Sequence, residues 1–367
     1  MGIKKQKKTG SRWKLLTLIL VAAASVWVYI FVYRSETEPP TKSQRTNRGA
    51  ALYTLEEQLD VLADCPWAKI REGEPDGGTY IIPGLNATRT LLAKEGNLPE
   101  TCTSMTPQSL AVTEKYVLIG CYCHTYAHNS VIYMLNKETH KFIKEIILPG
   151  KPHVGGMAYD AEHELLWYSS NITGVAQAVS VRMKDLEEYD YYASHLPVAI
   201  HQEVSLYGIV RDSFMTFYDH CLYVGCFNRF FKSSIARYPV DEEGRLTNEL
   251  DKELGMEFEM AMPLDYATIS ERAQGMDFYQ EKLLLSHSFG MMPSKLVIYE
   301  QSDERLYINE NSAKIIYFPE RMEQIVVEGD DLYILFESAA YAYRRSSANI
   351  VDRVWKVSLT ELEESDY

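Results

Sequence analysis

The stretch PQSLAVTEKYVLIG at residues 107–120 recurs without a gap as DSFMTFYDHCLYVG at 212–225 and as AQGMDFYQEKLLLS at 273–286. Each copy is an apolar run, a polar turn, a second apolar run and a small residue, the pattern of two antiparallel strands joined by a hairpin. Looser copies open at Val154-Gly155-Gly156-Met157 and at Met322-Glu323-Gln324-Ile325. The starts lie about 45 to 60 residues apart, the period of propeller blades built from four short strands. One blade is legible in full: Ser109 to Val112, Tyr116 to Gly120, Ser130 to Leu135 and Phe142 to Leu148, with Asn136-Lys137-Glu138-Thr139 as the outer turn. The chain is therefore expected to be all-β, a five-bladed β-propeller over residues 106–367. A sixth blade would have to come from Trp67 to Pro107, where Tyr80-Ile81-Ile82 and Thr90-Leu91-Leu92 are strand-like but match no other repeat. Val354 to Leu359 reads as the last strand, and strands from the N-terminal side are expected to pair with it and close the ring.

Upstream of the repeats the character changes. Residues 1–14 carry Lys4, Lys5, Lys7, Lys8, Arg12 and Lys14, and no acidic residue precedes Glu36. Leu15 to Tyr33 is free of charge and, at about 1.5 Å per residue, reaches about 28 Å as a helix, enough for a bilayer core. The expectation is a single-pass signal anchor with the basic tail in the cytoplasm and the rest outside. The rival is a signal peptide cleaved near Ala22-Ala23-Ala24, which would leave a short apolar core and a greasy new N-terminus. Residues 34–50 are a polar spacer with Pro39-Pro40. Residues 51–105 form an N-terminal arm, with a helix predicted where Thr54 and Glu57 make a capping box and Leu55, Leu59 and Leu62 repeat at helical spacing. The net charge of −14 for the whole chain, less the +7 of residues 1–34, leaves −21 on the exterior part. Such a body disfavours nucleic acid and anionic phospholipid, and leaves cations, sugars and basic proteins open. The acidic, tyrosine-rich run Glu187-Glu188-Tyr189-Asp190-Tyr191-Tyr192 reads as a solvated connection, its sharper alternative being a surface for calcium or a basic partner.

The chemistry is expected where the repeat gathers side chains. The inner strand of each blade lines the channel and the second runs antiparallel beside it, so the start of one and the end of the other share a channel mouth. Gln108, Gln274 and Glu323 stand at the start of inner strands, with His153 near the start of the second copy. His287 follows the second strand of the fourth copy, and Glu337 follows that of the fifth once its alignment is shifted by one. These six residues suit a hard cation, calcium foremost with Glu323 and Glu337 as ligands, or a polar ligand held by amides and carboxylates. They equally suit hydrogen bonding between blades and channel water. Cys121, Cys123, His124 and His128 offer soft-metal ligands, against which Cys121 aligns with Cys226, a position with no histidine behind it. Cys65 and Cys102 both lie in the arm, where a disulfide would staple it. No nucleophile elbow, phosphate loop, dinucleotide fingerprint or zinc-protease helix occurs. Gly155-Gly156 and Gly77-Gly78 read as turn glycines.

The blade openings Gln274-Gly275-Met276 and Gly155-Gly156-Met157, the strand end Ser286-His287-Ser288 and the segment Leu332 to Ser338 resemble the extracytoplasmic propellers of the SMP-30/gluconolactonase-like and YncE-like group, over roughly Thr106 to Leu359. In the lactonase branch a divalent metal in the channel activates the chemistry. The resemblance implies that here only if acidic and asparagine ligands stand in several blades, and the chain offers Glu323, Glu337, Asn171 and Asn228. Two functions follow as expectations. One is a membrane-tethered extracytoplasmic propeller that binds an envelope glycan, peptide or protein; the other is a metal-dependent hydrolase or lactonase acting at the channel mouth.

Overall fold

The computed structural model describes Ala22 and residues 51–92, 98–171, 174–246, 260–300 and 314–364. Contacts divide the chain into two units, Met1–Glu38 and Pro39–Tyr367. The expected anchor, Leu15 to Tyr33, lies outside the described residues apart from Ala22, as do the basic tail and the spacer. Among the described residues no helix is long and apolar enough to cross a membrane.

The repeats fold into five sheets arranged as blades. The first is Met105–Val112, Tyr116–Cys123, Val131–Asn136 and Phe142–Ile147, each antiparallel to the next. The second is Met157–Asp160, Leu165–Ser169, Gln177–Arg182 and Gln202–Leu206, to which Met260–Ala261 adds a parallel edge. The third is Phe214–Tyr218, Cys221–Gly225, Ser233–Pro239 and Asp265–Ile269, and the fourth is Ala273–Tyr279, Lys282–His287, Ser294–Glu300 and Lys314–Phe318. The fifth takes three strands from the C-terminal part, Met322–Glu328, Asp331–Phe336 and Arg353–Ser358. Its outer strand is Tyr80–Ile81, with Tyr80 opposite Val354 and Ile81 opposite Arg353. The ring thus closes by pairing N-terminal with C-terminal segments, as expected of an architecture that must not leave a sheet edge open. The strand-like residues Thr88–Leu92 build no sixth blade; they pair with Leu98–Cys102 in a two-stranded hairpin.

Each blade is apolar on both faces, so the core lies in five layers between neighbouring blades. Leu110, Ile119, Tyr133 and Leu335 fill the layer between the first and fifth, whereas Met215, Leu222, Trp167 and Ala178 fill that between the second and third. Contacts between backbones set the spacing at the axis. Gly155 and Gly156 are not turn glycines: a Cβ on Gly156 would lie 2.6 Å from the Met215 nitrogen, and one on Gly155 would lie 2.5 Å from the Ser213 oxygen. Their position is one where a neighbouring strand passes too close for a side chain. Gln324 crosses the axis itself. Its Oε1 accepts from the amides of Met157 (3.0 Å) and Leu110 (3.4 Å), and its Nε2 donates to the carbonyls of Met157 and Met215 (3.1 Å). One fifth-blade side chain therefore ties together the inner strands of the first three blades.

The arm packs on the closing blade. Helix Leu55–Val61 has the expected capping box, with the Thr54 hydroxyl and the Glu57 carboxylate each accepting from the other's backbone amide. Its buried Gln58 donates to the Ile350 carbonyl and accepts from the Asp352 amide. Asp352 in turn accepts from the Leu52 and Tyr53 amides and pairs with Arg353 at 2.9 Å, both side chains fully buried. Trp67 fills the apolar seam behind, 4.8 Å from Phe318 and 5.8 Å from Trp355 between ring centres. The acidic, tyrosine-rich run is a connection: it supplies parts of two short helices, Met183–Glu188 and Tyr191–Ser194, and Lys144 donates to the carbonyls of Glu187 and Tyr189.

Candidate functional site: the channel mouth

At the mouth end, three inner strands carry one residue too many. The pairing register shifts between Pro107 and Ser109, between Ala273 and Gly275, and between Met322 and Ile325. Gln108, Gln274 and Glu323 thus sit at β-bulges, which re-aim a side chain relative to the pleat. The three bulges belong to blades 1, 4 and 5, which are adjacent around the ring.

The re-aimed side chains meet. Gln108 Nε2 donates to Glu337 Oε2 at 2.7 Å, Gln274 Nε2 donates to Glu323 Oε1 at 3.3 Å, and the two glutamates share a hydrogen bond. Arg321 closes the chain of contacts with Nη1 3.4 Å from Glu337 Oε1 and Nη2 donating to Ser346. The ring of Tyr343 stacks on its guanidinium at 4.2 Å. Beyond Tyr343 the wall continues through the first and second blades. Tyr122 bonds Tyr343, its hydroxyl lies 3.2 Å from His124 Nδ1, and its ring stacks on His153 at 4.2 Å. His153 is exposed at this end of the wall.

Burial governs the electrostatics. Loss of water raises the Glu337 acid to about 7 against the opposing pull of Arg321 and Gln108, and raises Glu323 well above the ordinary carboxylate range, with the neighbouring Glu337 charge as a second cause. Two carboxyl groups in contact hold a proton between them, since both cannot ionise cheaply side by side. Burial pushes the His124 imidazole below its ordinary value, and the protein packed around His153 pushes that ring in the same direction. Arg321 Nε is buried without a hydrogen-bond partner among the described residues, a donor left over in an otherwise satisfied network.

Of the six residues expected at the mouth, Gln108, Gln274, Glu323 and Glu337 form one bonded chain, and His153 joins its wall through Tyr122. His287 does not join. Its Nδ1 donates to the Glu271 carbonyl at 3.0 Å. Register explains the difference: His287 pairs with Ala273 as Cys121 pairs with Pro107 and Phe336 with Met322, so it holds a position whose other occupants are buried core residues. Glu337 lies one residue further on, level with Tyr122 and Ser288. The amides of Glu337 and Ser288 donate to the carbonyls of Arg321 and Arg272, which makes the two positions equivalent. In a strand one residue decides the face.

Arg321, Tyr343, Tyr122 and His124 are the residues that the repeat pattern passes over. Arg321 and Arg272 precede the inner strands of blades 5 and 4 with φ of 63° and 67°, a left-handed conformation costly for a side chain of this size. Tyr343 sits in the connection between Asp331–Phe336 and Arg353–Ser358, whose amides at Ala348 and Asn349 are held by Glu320. Nothing in the local sequence announces either role.

The calcium expectation for Glu323 and Glu337 meets a physical obstacle, because the Arg321 guanidinium occupies the place of the counter-charge. Asn228 is spent capping its own loop, accepting from the Phe230 and Phe231 amides at 3.1 Å. Cys65 and Cys102 are not joined, and both are free thiols. Cys102 lies instead beside Cys123, whose thiol also approaches His128, while His124 turns to Tyr122.

Exposed apolar side chains surround the mouth. The loops that follow the second strands carry Tyr126, Phe230, Phe231, Met291 and Met292, and the connection into the third blade carries Tyr207 and Val210. Phe231 is 71% exposed and Val210 78%. By strand direction all these loops lie at the end where the inner strands begin. A cleft of about 400 Å³ lies elsewhere, outside the fifth blade between Trp67, Arg71, Asp331 and Lys356. Its charges are matched, Arg71 to Asp331 at 2.6 Å and Lys356 to Glu74 at 2.5 Å, so it reads as the seam between arm and blade.

No family model matches the sequence, and no curated protein matches it. Among solved structures the chain is similar to the nidogen/laminin complex (14% identity, TM-score 0.38, covering 68% of this chain and 84% of that one). It is also similar to a protein described as an oxidoreductase (glucose dehydrogenase) from Thermus thermophilus (12% identity, TM-score 0.41, covering 74% and 91%). A third likeness is to a protein described as a 6-phosphogluconolactonase from Bacteroides uniformis (10% identity, TM-score 0.36, covering 61% and 62%). At these identities the likeness is one of fold.

Proposed function

We propose that this protein is a binding module, a membrane-tethered propeller whose mouth face docks a protein of the cell envelope. The observation that carries this reading is the conjunction, on one face, of a buried amide-carboxylate-arginine network at the centre and a rim of exposed Phe230, Phe231, Met291, Met292 and Tyr207. Aromatic, methionine and arginine side chains around a desolvated centre are the composition of protein interfaces. A soluble surface carries such a concentration of apolar groups at a cost in solubility unless something covers it. The partner presents apolar side chains to the rim and a hydroxyl or amide to the Glu323–Glu337 pair. A glycan would use the tyrosines and the carboxylates but has no need of paired phenylalanines and methionines.

Tethering rests on the charge-free run Leu15 to Tyr33 behind six basic residues, which orients the propeller outward. The alternative, a metal-dependent hydrolase or lactonase, is less well supported because the two carboxyl groups at the mouth bond each other, Glu337 is paired with Arg321 and Glu323 with Gln274, where hard-metal chemistry asks for several open oxygen ligands.

Photo-crosslinking on intact cells tests the docking. A photoreactive residue in place of Phe230 or Met291 is expected to capture one protein, and the same residue in place of Tyr218, at the other end of the third blade, is expected to capture none. Equal capture from both faces, or mouth-face binding of isolated wall saccharides that is unaffected by Phe230→Ser, would overturn the reading. Protease added to intact cells is expected to degrade or release the propeller; complete protection until lysis would refute the outward orientation.

A further inference from the structure

A cluster apart from the bonded chain at the mouth brings together side chains from three segments. Cys102 ends the hairpin strand Leu98–Cys102, Cys123 ends the second strand of the first blade, and His128 lies in the loop beyond it. Their two sulfurs and one imidazole nitrogen all lie within 4.8 Å of one another. Cys123 Sγ is 3.3 Å from His128 Nδ1, Cys102 and Cys123 are buried, and His128 is half-buried.

We propose that Cys102, Cys123 and His128 bind one zinc ion, stapling the N-terminal hairpin to the first blade. Tetrahedral zinc with Zn–S of about 2.3 Å and Zn–N of about 2.0 Å separates its ligand atoms by about 3.5 to 3.8 Å, so the three atoms here need small movements to converge. Two thiolates and an imidazole are a borderline-soft set that selects zinc over calcium or magnesium. The fourth position is left to water, reached past the half-buried His128.

The surroundings hold the ligands in place. The Ser104 amide donates to Cys102 Sγ at 3.3 Å, and Thr125 Oγ1 lies 3.1 Å from Cys123 Sγ. His128 is fixed by its bridge to Leu92, and the next residue, Asn129, donates its amide to the Leu91 carbonyl and its side chain to the Leu148 carbonyl. Hydrogen bonds of this kind orient metal ligands and sharpen affinity. Cys121 shares the apolar layer of Cys102 and Cys123 but is not part of this cluster, and Cys226 lies in the layer between the second and third blades. The ion would also fix His124 and Tyr126, the neighbours of Cys123 on the wall and rim of the mouth, but the site stands without the docking reading.

Cobalt titration of the full chain, purified under thiol reductant, tests the site. Co²⁺ is expected to bind with about one equivalent, giving sulfur-to-cobalt charge-transfer and tetrahedral visible bands that Zn²⁺ abolishes. Cys123→Ser should remove the bands, His128→Ala should weaken binding at least about tenfold, and Cys121→Ser should leave both intact. His128 lies in a loop, so its variant tests the site even if the core cysteine variant does not fold. Absence of thiolate bands in the reduced protein would overturn the proposal. So would metal binding equal in all variants, or recovery from unreduced protein of the Cys102 and Cys123 peptides joined by a disulfide.

Discussion

The third and fifth blades start from the same repeat and end as opposites. In the third, Phe214–Tyr218 pairs with Cys221–Gly225 in unbroken register, and Phe214 and Met215 at its start are wholly apolar and buried. In the fifth, the equivalent start is bulged and buries Glu323 and Gln324, with Arg321 before it and Glu337 across from it. The third blade takes its four strands from one stretch of chain, residues 214–269, and its inner strand opens on apolar packing. The fifth must join segments nearly 300 residues apart, and it does so with buried polar groups whose partners come from other blades and from the arm. Apolar packing tolerates many arrangements, whereas a buried charge is cheap only beside its partner. The polar fifth blade therefore specifies how the ring closes, and its bulge turns side chains into the mouth.

The sharpest way to break this comparison is Asp352→Ala. It strips the Leu52 and Tyr53 amides of their acceptor and leaves Arg353 buried without a counter-charge, and an expected loss of about 3–5 kcal/mol follows in urea unfolding. A variant as stable as the parent would mean that closure does not depend on this pair. Next is Gln324→Met, which keeps the volume but removes the hub that bonds three other blades. It should cost about 1–3 kcal/mol, against under about 1.5 kcal/mol for Met215→Leu at the apolar start of the third blade. Equal costs would erase the distinction.

The carboxyl pair predicts a pH dependence with a definite sign. Because the folded protein holds the Glu337 proton up to about 7 while the unfolded chain releases it near 4.5, its contribution is complete below about 4.5 and is lost as pH rises through 7. Between pH 5 and pH 8 the parent should lose about 1–3 kcal/mol more than Glu337→Gln, read from denaturant midpoints at each pH. Parallel curves would show that the pair does not share a proton. The smallest effect belongs to the rim: Phe230→Ser with Phe231→Ser should change stability by less than about 0.5 kcal/mol while abolishing crosslinking to the partner. A large loss of stability would reveal these side chains as structural.

The amino-acid sequence by itself determined the repeat, the capped helix on the arm and the last strand of the ring, because each is written in short-range periodicity or in neighbours a few residues apart. It also put Gln108, Gln274 and Glu323 at the mouth, since equivalent positions of a ring share an axis. Only the tertiary structure decided that Glu337 faces the mouth and His287 does not, because a one-residue difference in register reverses a strand side chain and no local signal marks the bulge. It likewise brought in Arg321 and Tyr343 and exchanged Cys65 for Cys123 as the neighbour of Cys102. Those partners are tens to hundreds of residues apart, and what brings them together is the curvature of the whole ring.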